Sequence, residues 1–350
     1  MIKTLLATLL LTFSAQCPTP TFHGNLLEVN RASTFNISDC ISPDVLTDVI
    51  FKISARNQNI QDLNDGAVQN LLNLSFIDFS NNSIEIVREG AFFNLPTLSK
   101  VYLADNEISW LTENVFKDLP MLTSVLLRNN KISDLSRGAF SNLPLLARVN
   151  LDGNRLENFN QAWFYKTPAL TVLELSYNYL RRIPRGAFIN LPSITYLRVA
   201  GNQIEFIDKD AFMGLRDIDT VNLSGNRMKS FEINFHVPSK LVQVFIDNNN
   251  VTFISDMMLE TMRPNLEVFG MDANPWQCEC LDKIVNWSIA FDIQIHLRKH
   301  KRGSVVCVFP KKNSFQCLER NFDDFEEGFW LPCARGNRKS ALYRNSMEKL

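Results

Sequence analysis

Seven cysteines are the residues of this chain with the clearest chemistry: Cys17, Cys40, Cys278, Cys280, Cys307, Cys317 and Cys333. They could bind a metal or form disulfides. Cys278 and Cys280 are separated by a single residue, whereas zinc sites typically combine the wider CxxC spacing with a second Cys or His pair, which this chain lacks nearby. We therefore expect disulfides, formed in an oxidising compartment, and no metal site.

Catalytic residue arrangements do not occur in the sequence. Its four histidines are His23, His236, His296 and His300. None stands in a recognisable Ser, Cys or Asp arrangement, and GxSxG, HExxH and phosphate-binding glycine loops are missing. We expect a protein without enzymatic activity and without a cofactor.

Asparagine in the sequence Asn-x-Ser/Thr is the acceptor for N-linked glycans in secreted proteins. The chain holds six such sites: Asn36, Asn73, Asn81, Asn222, Asn250 and Asn286. They predict a glycoprotein, and Asn222 matters most because it falls in the middle of a predicted strand.

A 24-residue repeat fills most of the chain between the two groups of cysteines. Six successive blocks begin with an apolar residue at Leu74, Leu98, Leu122, Leu146, Leu170 and Ile194. Each block has an Asn eight residues later, at Asn82, Asn106, Asn130, Asn154, Asn178 and Asn202. Each also has a Phe in its second half, at Phe92, Phe116, Phe140, Phe164, Phe188 and Phe212. Three registers held over six blocks indicate a solenoid of leucine-rich repeats.

The spacing inside a block predicts a short strand that ends in a turn. Val125 and Leu127 point into the coil because strand side chains alternate, while Leu126 and Arg128 point outward. We expect Asn130 to turn inward and bond the main-chain groups of neighbouring coils, since a buried group without a partner costs about 1–3 kcal/mol. No coil can bury its apolar face alone, so stability comes from stacking.

Imperfect blocks extend the repeat at both ends, and we number ten coils by their first apolar residue. Coil one begins at Ile50, coils two to seven are the six blocks above, coils eight and nine begin at Ile218 and Leu241, and a partial coil ten begins at Leu266.

The ends of the chain have a different character. Residues 1–16 combine a basic start, a short apolar run and small residues, which predicts a signal peptide. No later apolar run is long enough to span a membrane. The predicted organisation is a signal peptide at 1–16, an N-terminal cap at 17–49, repeats at 50–273, a C-terminal cap at 274–333 and a basic disordered tail at 334–350.

The sequence resembles a known family at this point. Blocks such as Leu122–Leu145 resemble the 24-residue typical repeat of extracellular leucine-rich repeat proteins, as in Toll-like and Slit-like ectodomains. The run Asn274-Pro275-Trp276-x-Cys278-x-Cys280, with the later Trp287, Cys307 and Cys333, resembles their C-terminal cap. The resemblance implies an α/β repeat solenoid, a curved horseshoe with a parallel concave sheet and disulfide caps.

The resemblance also implies how the cysteines pair: Cys17 with Cys40, Cys278 with Cys307, and Cys280 with Cys333. Cys317 is then left over, which departs from the four-cysteine cap. It would be either a free thiol or a bridge to a second chain, and we favour a disulfide-linked dimer because secreted proteins rarely keep an exposed thiol.

The outward residues of the strands form the predicted concave surface, a recurrent contact surface in solenoids. Aromatic and arginine side chains, which protein interfaces enrich, concentrate on coils two to seven. The predicted protein-binding residues are Phe76, Lys100, Tyr102, Leu126, Arg128, Arg148, Glu174, Tyr196 and Arg198. The competing interpretation is a solvated mixed sheet with a cross-strand Glu174–Arg198 pair. A basic run, Arg298–Arg302, could be an acidic-polysaccharide contact or a protease-sensitive basic loop. We favour a third interpretation, a solvated loop balanced by Asp323, Asp324, Glu326 and Glu327.

A formal net charge of −1 favours neither nucleic acid nor an anionic membrane as partner. We expect a secreted, extracellular, non-enzymatic recognition protein whose partner is an extracellular protein ligand or receptor. The alternatives are a structural component of the extracellular matrix and an accessory subunit of a secreted enzyme or innate-immune complex.

Overall fold

The structure is a computed structural model that describes residues 19–46, 49–236, 239–296, 305–312, 316–320, 324–325 and 342–343. The predicted signal peptide, Cys17, Cys333 and the basic run Arg298–Arg302 lie outside the described residues. So does the predicted tail, except for Leu342–Tyr343, which forms a short antiparallel pair with Val305–Val306.

A sheet of thirteen strands runs the length of the molecule. Its first two strands form an antiparallel hairpin, and from the third strand onward each is parallel to the next. In spatial order the strands are Ser33–Ile37, Asn25–Val29, Lys52–Ser54, Phe76–Asp78, Lys100–Tyr102, Ser124–Leu126, Arg148–Asn150, Val172–Glu174, Tyr196–Arg198, Thr220–Asn222, Gln243–Phe245, Val268–Gly270 and Gln294–His296. The expected solenoid of leucine-rich repeats with a parallel sheet is confirmed.

Strand pairing follows the repeat register. Val125 pairs with Val149, one repeat further along, and both side chains are fully buried. Coil eight has 23 residues instead of 24. Its Val221 still pairs with Val244 of coil nine, so the strand register is kept. The apolar face therefore stacks into one continuous core along the axis of the solenoid.

The repeated asparagines turn inward as expected. Asn130 donates from Nδ2 to the carbonyls of Leu103 and Leu127, at 2.9 and 3.0 Å, and its Oδ1 accepts from the Ile108 N–H at 3.0 Å. Asn106, Asn154, Asn178, Asn202, Asn226, Asn249 and Asn274 make equivalent bonds. Each side chain thus satisfies main-chain groups on its own coil and on the preceding one.

The residue before each inward asparagine has a left-handed backbone, which lets the chain leave the strand. Nine coils place Asn, Asp, Gly or Ala there: Asn57, Asn81, Asp105, Asn129, Gly153, Gly201, Gly225, Asn248 and Ala273. Asn, Asp and Gly are the residues that tolerate this conformation best. Coil six is the exception, because Tyr177 occupies the position.

Hydroxyl side chains support the start of five of the concave strands, a feature the sequence did not lead us to expect. Ser99 Oγ donates to the Ser75 carbonyl at 2.9 Å, and Thr123 Oγ1 donates to the Ser99 carbonyl at 2.9 Å. Ser75, Thr171 and Thr195 repeat the contact. These bonds tie neighbouring coils together at the other end of the concave strands.

The convex side consists mainly of turns and two-residue strands. The parallel pairs are Asp62–Leu63 with Ile86–Val87, Val68–Gln69 with Phe92–Phe93, Trp110–Leu111 with Asp134–Leu135, and Arg182–Ile183 with Phe206–Ile207. Two 3-10 helices, Gln161–Phe164 and Arg263–Asn265, and one α-helix, α1 (Asp256–Met262), replace the pattern on coils five and nine.

Behind the sheet, the repeated phenylalanines form an aromatic stack. Centroid distances between consecutive rings from Phe92 to Phe164 are 6.2, 5.8 and 5.4 Å, with the rings nearly parallel. Phe159 then lies between Phe164 and Phe188, and the later contacts become edge-to-face. Phe235 continues the stack at 5.5 Å from Phe212, although its surrounding sequence departs from the repeat.

At the N-terminal end, the hairpin covers the first coil. Asn25 Nδ2 donates to the Gln58 carbonyl at 2.7 Å, and Gln58 Oε1 accepts from the Leu26 N–H at 3.0 Å. Gln58 holds the position that asparagine occupies in later coils, so its longer side chain serves the cap. Cys40 is disulfide-bonded, and its expected partner Cys17 lies outside the described residues.

The C-terminal end is closed by helix α2 (Cys278–Ala290) and two disulfides. Cys278 pairs with Cys307 as expected, but Cys280 pairs with Cys317. The expected Cys280–Cys333 bond and the dimer through Cys317 are therefore wrong. The segment that carries Cys317 is held at the start of α2, because Gln277 Nε2 donates to the Leu318 carbonyl at 2.8 Å and Arg320 Nε donates to Gln277 Oε1 at 3.0 Å.

Candidate concave-face binding site

The strand register places the candidate residues on the outward face of the sheet, as expected. Phe76 pairs with Lys100, and Tyr102 with Leu126, on adjacent strands. Glu174 is the one candidate that is buried; the other eight are half-buried or exposed. The sheet thus presents eight of the nine to solvent, and the role of all nine in binding stays a prediction.

An aromatic cluster occupies coils one to three. The rings of Phe76 and Tyr102 meet edge-to-face with their centroids 4.8 Å apart. Lys52 Nζ lies 4.5 Å from the Phe76 centroid, a cation–π contact. Lys52 is absent from the predicted binding residues, although the 24-residue register places it beside Phe76 and could have identified it.

An ionic network occupies coil five and its neighbours. Arg148 donates from Nε and Nη2 to Glu174 Oε2, at 2.9 and 2.7 Å, and Asn150 Nδ2 donates to the same oxygen at 3.0 Å. Arg198 instead contacts Asp152, with Nη1 and Oδ2 3.4 Å apart. The Glu174–Arg198 pair of the competing interpretation is therefore not the one that forms. Glu174 turns toward coil five because two side chains there converge on a single oxygen.

Asp152 lies at the edge of this network in an unusual environment. Its Oδ1 accepts from the Ser176 N–H at 2.5 Å. Burial raises the pKa of Asp152 above its ordinary value, although the Ser176 bond and the Arg198 charge act against that rise. Sequence patterns did not identify Asp152 as a member of the network, because its burial depends on the packing of three coils.

The potential glycan acceptors differ in exposure. Asn36, Asn73 and Asn286 are exposed, whereas Asn81, Asn222 and Asn250 are half-buried. Asn222 stands in the central outward column of the concave sheet, and its Oδ1 accepts from the Ser224 N–H at 3.0 Å. Among the predicted acceptors, this one would place a glycan on the concave face.

The described part of the chain offers neither a metal site nor a membrane-spanning helix. No group of His, Cys, Asp and Glu there is arranged to hold a metal ion. None of its helices has the length and apolar character needed to cross a membrane.

Comparison with solved structures finds extracellular leucine-rich repeat proteins. One is a chain of the octameric complex of Latrophilin 3, Unc5D and FLRT2, in which FLRT2 contributes the leucine-rich repeats; it is 18% identical over 79% of this chain and 90% of that chain, with a TM-score of 0.58. Another is a chain of the Drosophila Toll–Spatzle complex, 18% identical over 76% of this chain and 36% of that chain, with a TM-score of 0.62. At such identities the likeness concerns the fold.

A family model described as leucine rich repeat matches residues 52–108, 96–156, 144–204 and 192–251. No curated protein matches the sequence at a significant level. The matched segments span the coils whose registers, inward asparagines and stacked phenylalanines are described above. The chain belongs to the leucine-rich repeat family.

Proposed function

We propose that this chain is a secreted recognition protein that binds a protein partner through the concave face of its solenoid. Leucine-rich repeat proteins are typically non-catalytic binding proteins, and the two similar structures described above are protein complexes. The disulfide-bonded caps suit an extracellular location.

The observation that carries the proposal is the solvent-facing cluster of Lys52, Phe76 and Tyr102 next to the network of Arg148 and Glu174. Aromatic and arginine side chains supply most of the energetic anchors of protein interfaces. Here the strand register and mutual contacts hold them in place, so binding would order few side chains and lose little conformational entropy.

The proposed contact surface comprises Phe76, Lys100, Tyr102, Leu126, Arg128, Arg148, Glu174, Tyr196 and Arg198. A glycan on Asn222 would project from coil eight, beyond the last of these residues on coil seven. The partner would therefore occupy coils two to seven. Replacement of Asn222 by Gln would change its affinity little.

The experiment is a pull-down from extracellular fluid with the secreted protein as bait, followed by affinity measurement with the captured partner. Tyr102→Ala and Arg198→Ala should each weaken binding by about 2 kcal/mol if they are anchors. Tyr165→Ala is a matched control, because Tyr165 is an exposed tyrosine on the convex side. Normal binding of the partner by both concave variants would exclude the concave face as the binding surface.

Secretion is tested separately, by expression of the full chain in cultured cells. The mature protein should appear in the medium with an N-terminus between Ser14 and Cys17, and glycosidase treatment should reduce its mass. Retention of the full-length chain inside the cell would contradict this part of the proposal.

A further inference from the structure

Tyr177 combines an unfavourable backbone with an exposed side chain. Its φ is 56°, and 63% of the residue is accessible to solvent. Large residues rarely adopt a left-handed conformation, because their Cβ approaches the main-chain carbonyl. Core packing does not account for a side chain in solvent, and unfavourable backbone conformations of this kind concentrate at functional sites.

The next coil makes room for the tyrosine ring. A Cβ atom on Gly201 would lie 2.7 Å from Tyr177 Cδ1 and 2.8 Å from Cε1, closer than real side chains approach one another. The ring therefore packs against Gly201, in space that a side chain there would fill. Most of the residue remains accessible to a binding partner.

Further aromatic side chains are exposed beside Tyr177. Tyr179 is 47% accessible, and Phe206 on coil seven is 60% accessible. Phe206 pairs in register with Arg182 on coil six. Tyr177 and Tyr179 lie between a concave strand and the convex strand pair that follows it, and Phe206 belongs to that pair. The three rings are therefore on the flank where the chain passes from the concave to the convex side.

Three arginines lie on coils five and six near these rings in the repeat register, with Arg155 one repeat before Tyr179. Arg155, Arg181 and Arg182 are exposed, and none forms an ion pair with any residue that the structure describes. Two acids share this flank, Glu157 and Glu205, and Glu205 is 3.8 Å from Arg227. Positive charge is therefore in excess. We call this surface the flank patch; it consists of Arg155, Tyr177, Tyr179, Arg181, Arg182 and Phe206.

We propose that the flank patch binds an acidic segment of a protein partner. Arginine guanidinium groups bind carboxylates through paired hydrogen bonds, and tyrosine rings add apolar contact area at low entropic cost. The excess of arginine selects a negatively charged segment. The exposed rings favour a polypeptide with apolar side chains over a sulfated polysaccharide. The patch is separate from the concave residues, so this proposal does not rest on the proposed function.

The test uses a fluorescent poly(Glu-Tyr) copolymer as probe, with poly(Lys-Tyr) as its sign-reversed counterpart, and measures binding by anisotropy. Tyr177→Asn should weaken poly(Glu-Tyr) binding about tenfold, while the thermal midpoint stays the same or rises, because Asn tolerates the left-handed backbone. Ala273→Asn is the matched control, since Ala273 has a φ of 54° on a distant coil. It should leave binding unchanged.

A second variant keeps the result interpretable if Tyr177→Asn alters the fold. Arg155→Glu/Arg181→Glu should abolish most poly(Glu-Tyr) binding, whereas Arg137→Glu/Arg216→Glu, with the same change in net charge on the convex side, should not. Equal binding by the wild-type protein and Arg155→Glu/Arg181→Glu would overturn the proposal. So would binding of heparin that depends on the arginines but not on Tyr177, or loss of probe binding on Tyr102→Ala instead of Tyr177→Asn.

Discussion

Asn130 on coil four donates its side-chain amide to the Leu103 carbonyl on coil three, with Nδ2 and O 2.9 Å apart. The same amide bonds its own coil, and its oxygen accepts from Ile108. One side chain therefore satisfies three buried main-chain groups. The stacking of coils depends on these contacts as well as on the apolar core.

Replacement of Asn130 by Leu should destabilise the protein by about 3 kcal/mol or more, because several buried polar groups lose their partners at once. Thermal or urea unfolding would measure the loss. The matched control is Asn129→Gly: Asn129 is exposed and left-handed, so Gly preserves the backbone and removes only its 2.7 Å bond to Asp105. Equal losses for the two variants would contradict the inward position of Asn130.

The sequence predicts those features of the fold that recur in every coil. Inward Val125, ladder Asn130 and stacked Phe140 follow from a single register, and each occupies its expected place. Features that depend on one local choice escape prediction. Arg198 could pair with either Glu174 or Asp152. The packing of three coils determines that it contacts Asp152.

The cysteine pairing illustrates the same limit. Family resemblance implies a four-cysteine cap, but the chain carries one cysteine more, and spacing alone does not rank Cys317 against Cys333. The contacts of Gln277 with the segment around Leu318 decide in favour of Cys317.

The observed pairing predicts that Cys317 is important for stability. Cys317→Ser should lower the free energy of unfolding by about 2–5 kcal/mol, the usual cost of losing a native disulfide in a small domain. Peptide mapping under non-reducing conditions should recover a peptide that links Cys280 to Cys317. Recovery of Cys280 linked to Cys333 would show that the pairing is wrong.

Asp152 should make stability depend on pH. Its pKa is raised in the folded state, mainly by burial, so the folded protein binds its proton more tightly than the unfolded chain does. The contribution of Asp152 to the free energy of unfolding is fully present below the pKa of the unfolded state. It is lost as the pH rises through the pKa of the folded state. Asp152→Asn should therefore become progressively more stable relative to wild type as the pH rises from about 4 through the raised pKa of the folded state.

Thermal midpoints of both proteins across that range would measure the difference. Asp247→Asn should behave in the same way, because burial also raises the pKa of Asp247. A stability difference that stays constant with pH at both positions would contradict the prediction.

Trp163 stands where the neighbouring coils carry Ala139 and Ala187, so a consensus argument predicts that Trp163→Ala stabilises the protein. The structure predicts the opposite. Trp163 is fully buried, its Nε1 donates to the Leu135 carbonyl at 3.1 Å, and its ring meets Phe159 edge-to-face at 5.4 Å. Its removal would leave a large cavity.

Trp163→Ala should therefore cost about 3–5 kcal/mol in unfolding free energy, the range for removal of a buried aromatic side chain. Phe159→Leu/Trp163→Ala restores at both positions the residue types of coil four, Leu135 and Ala139. We expect this double variant to lose less than the sum of the two single changes, because the coil can then close toward the regular convex turn. Additive losses would show that coil five cannot adopt that turn, and a stabilised Trp163→Ala would show that the tryptophan is not the packing centre of the convex side.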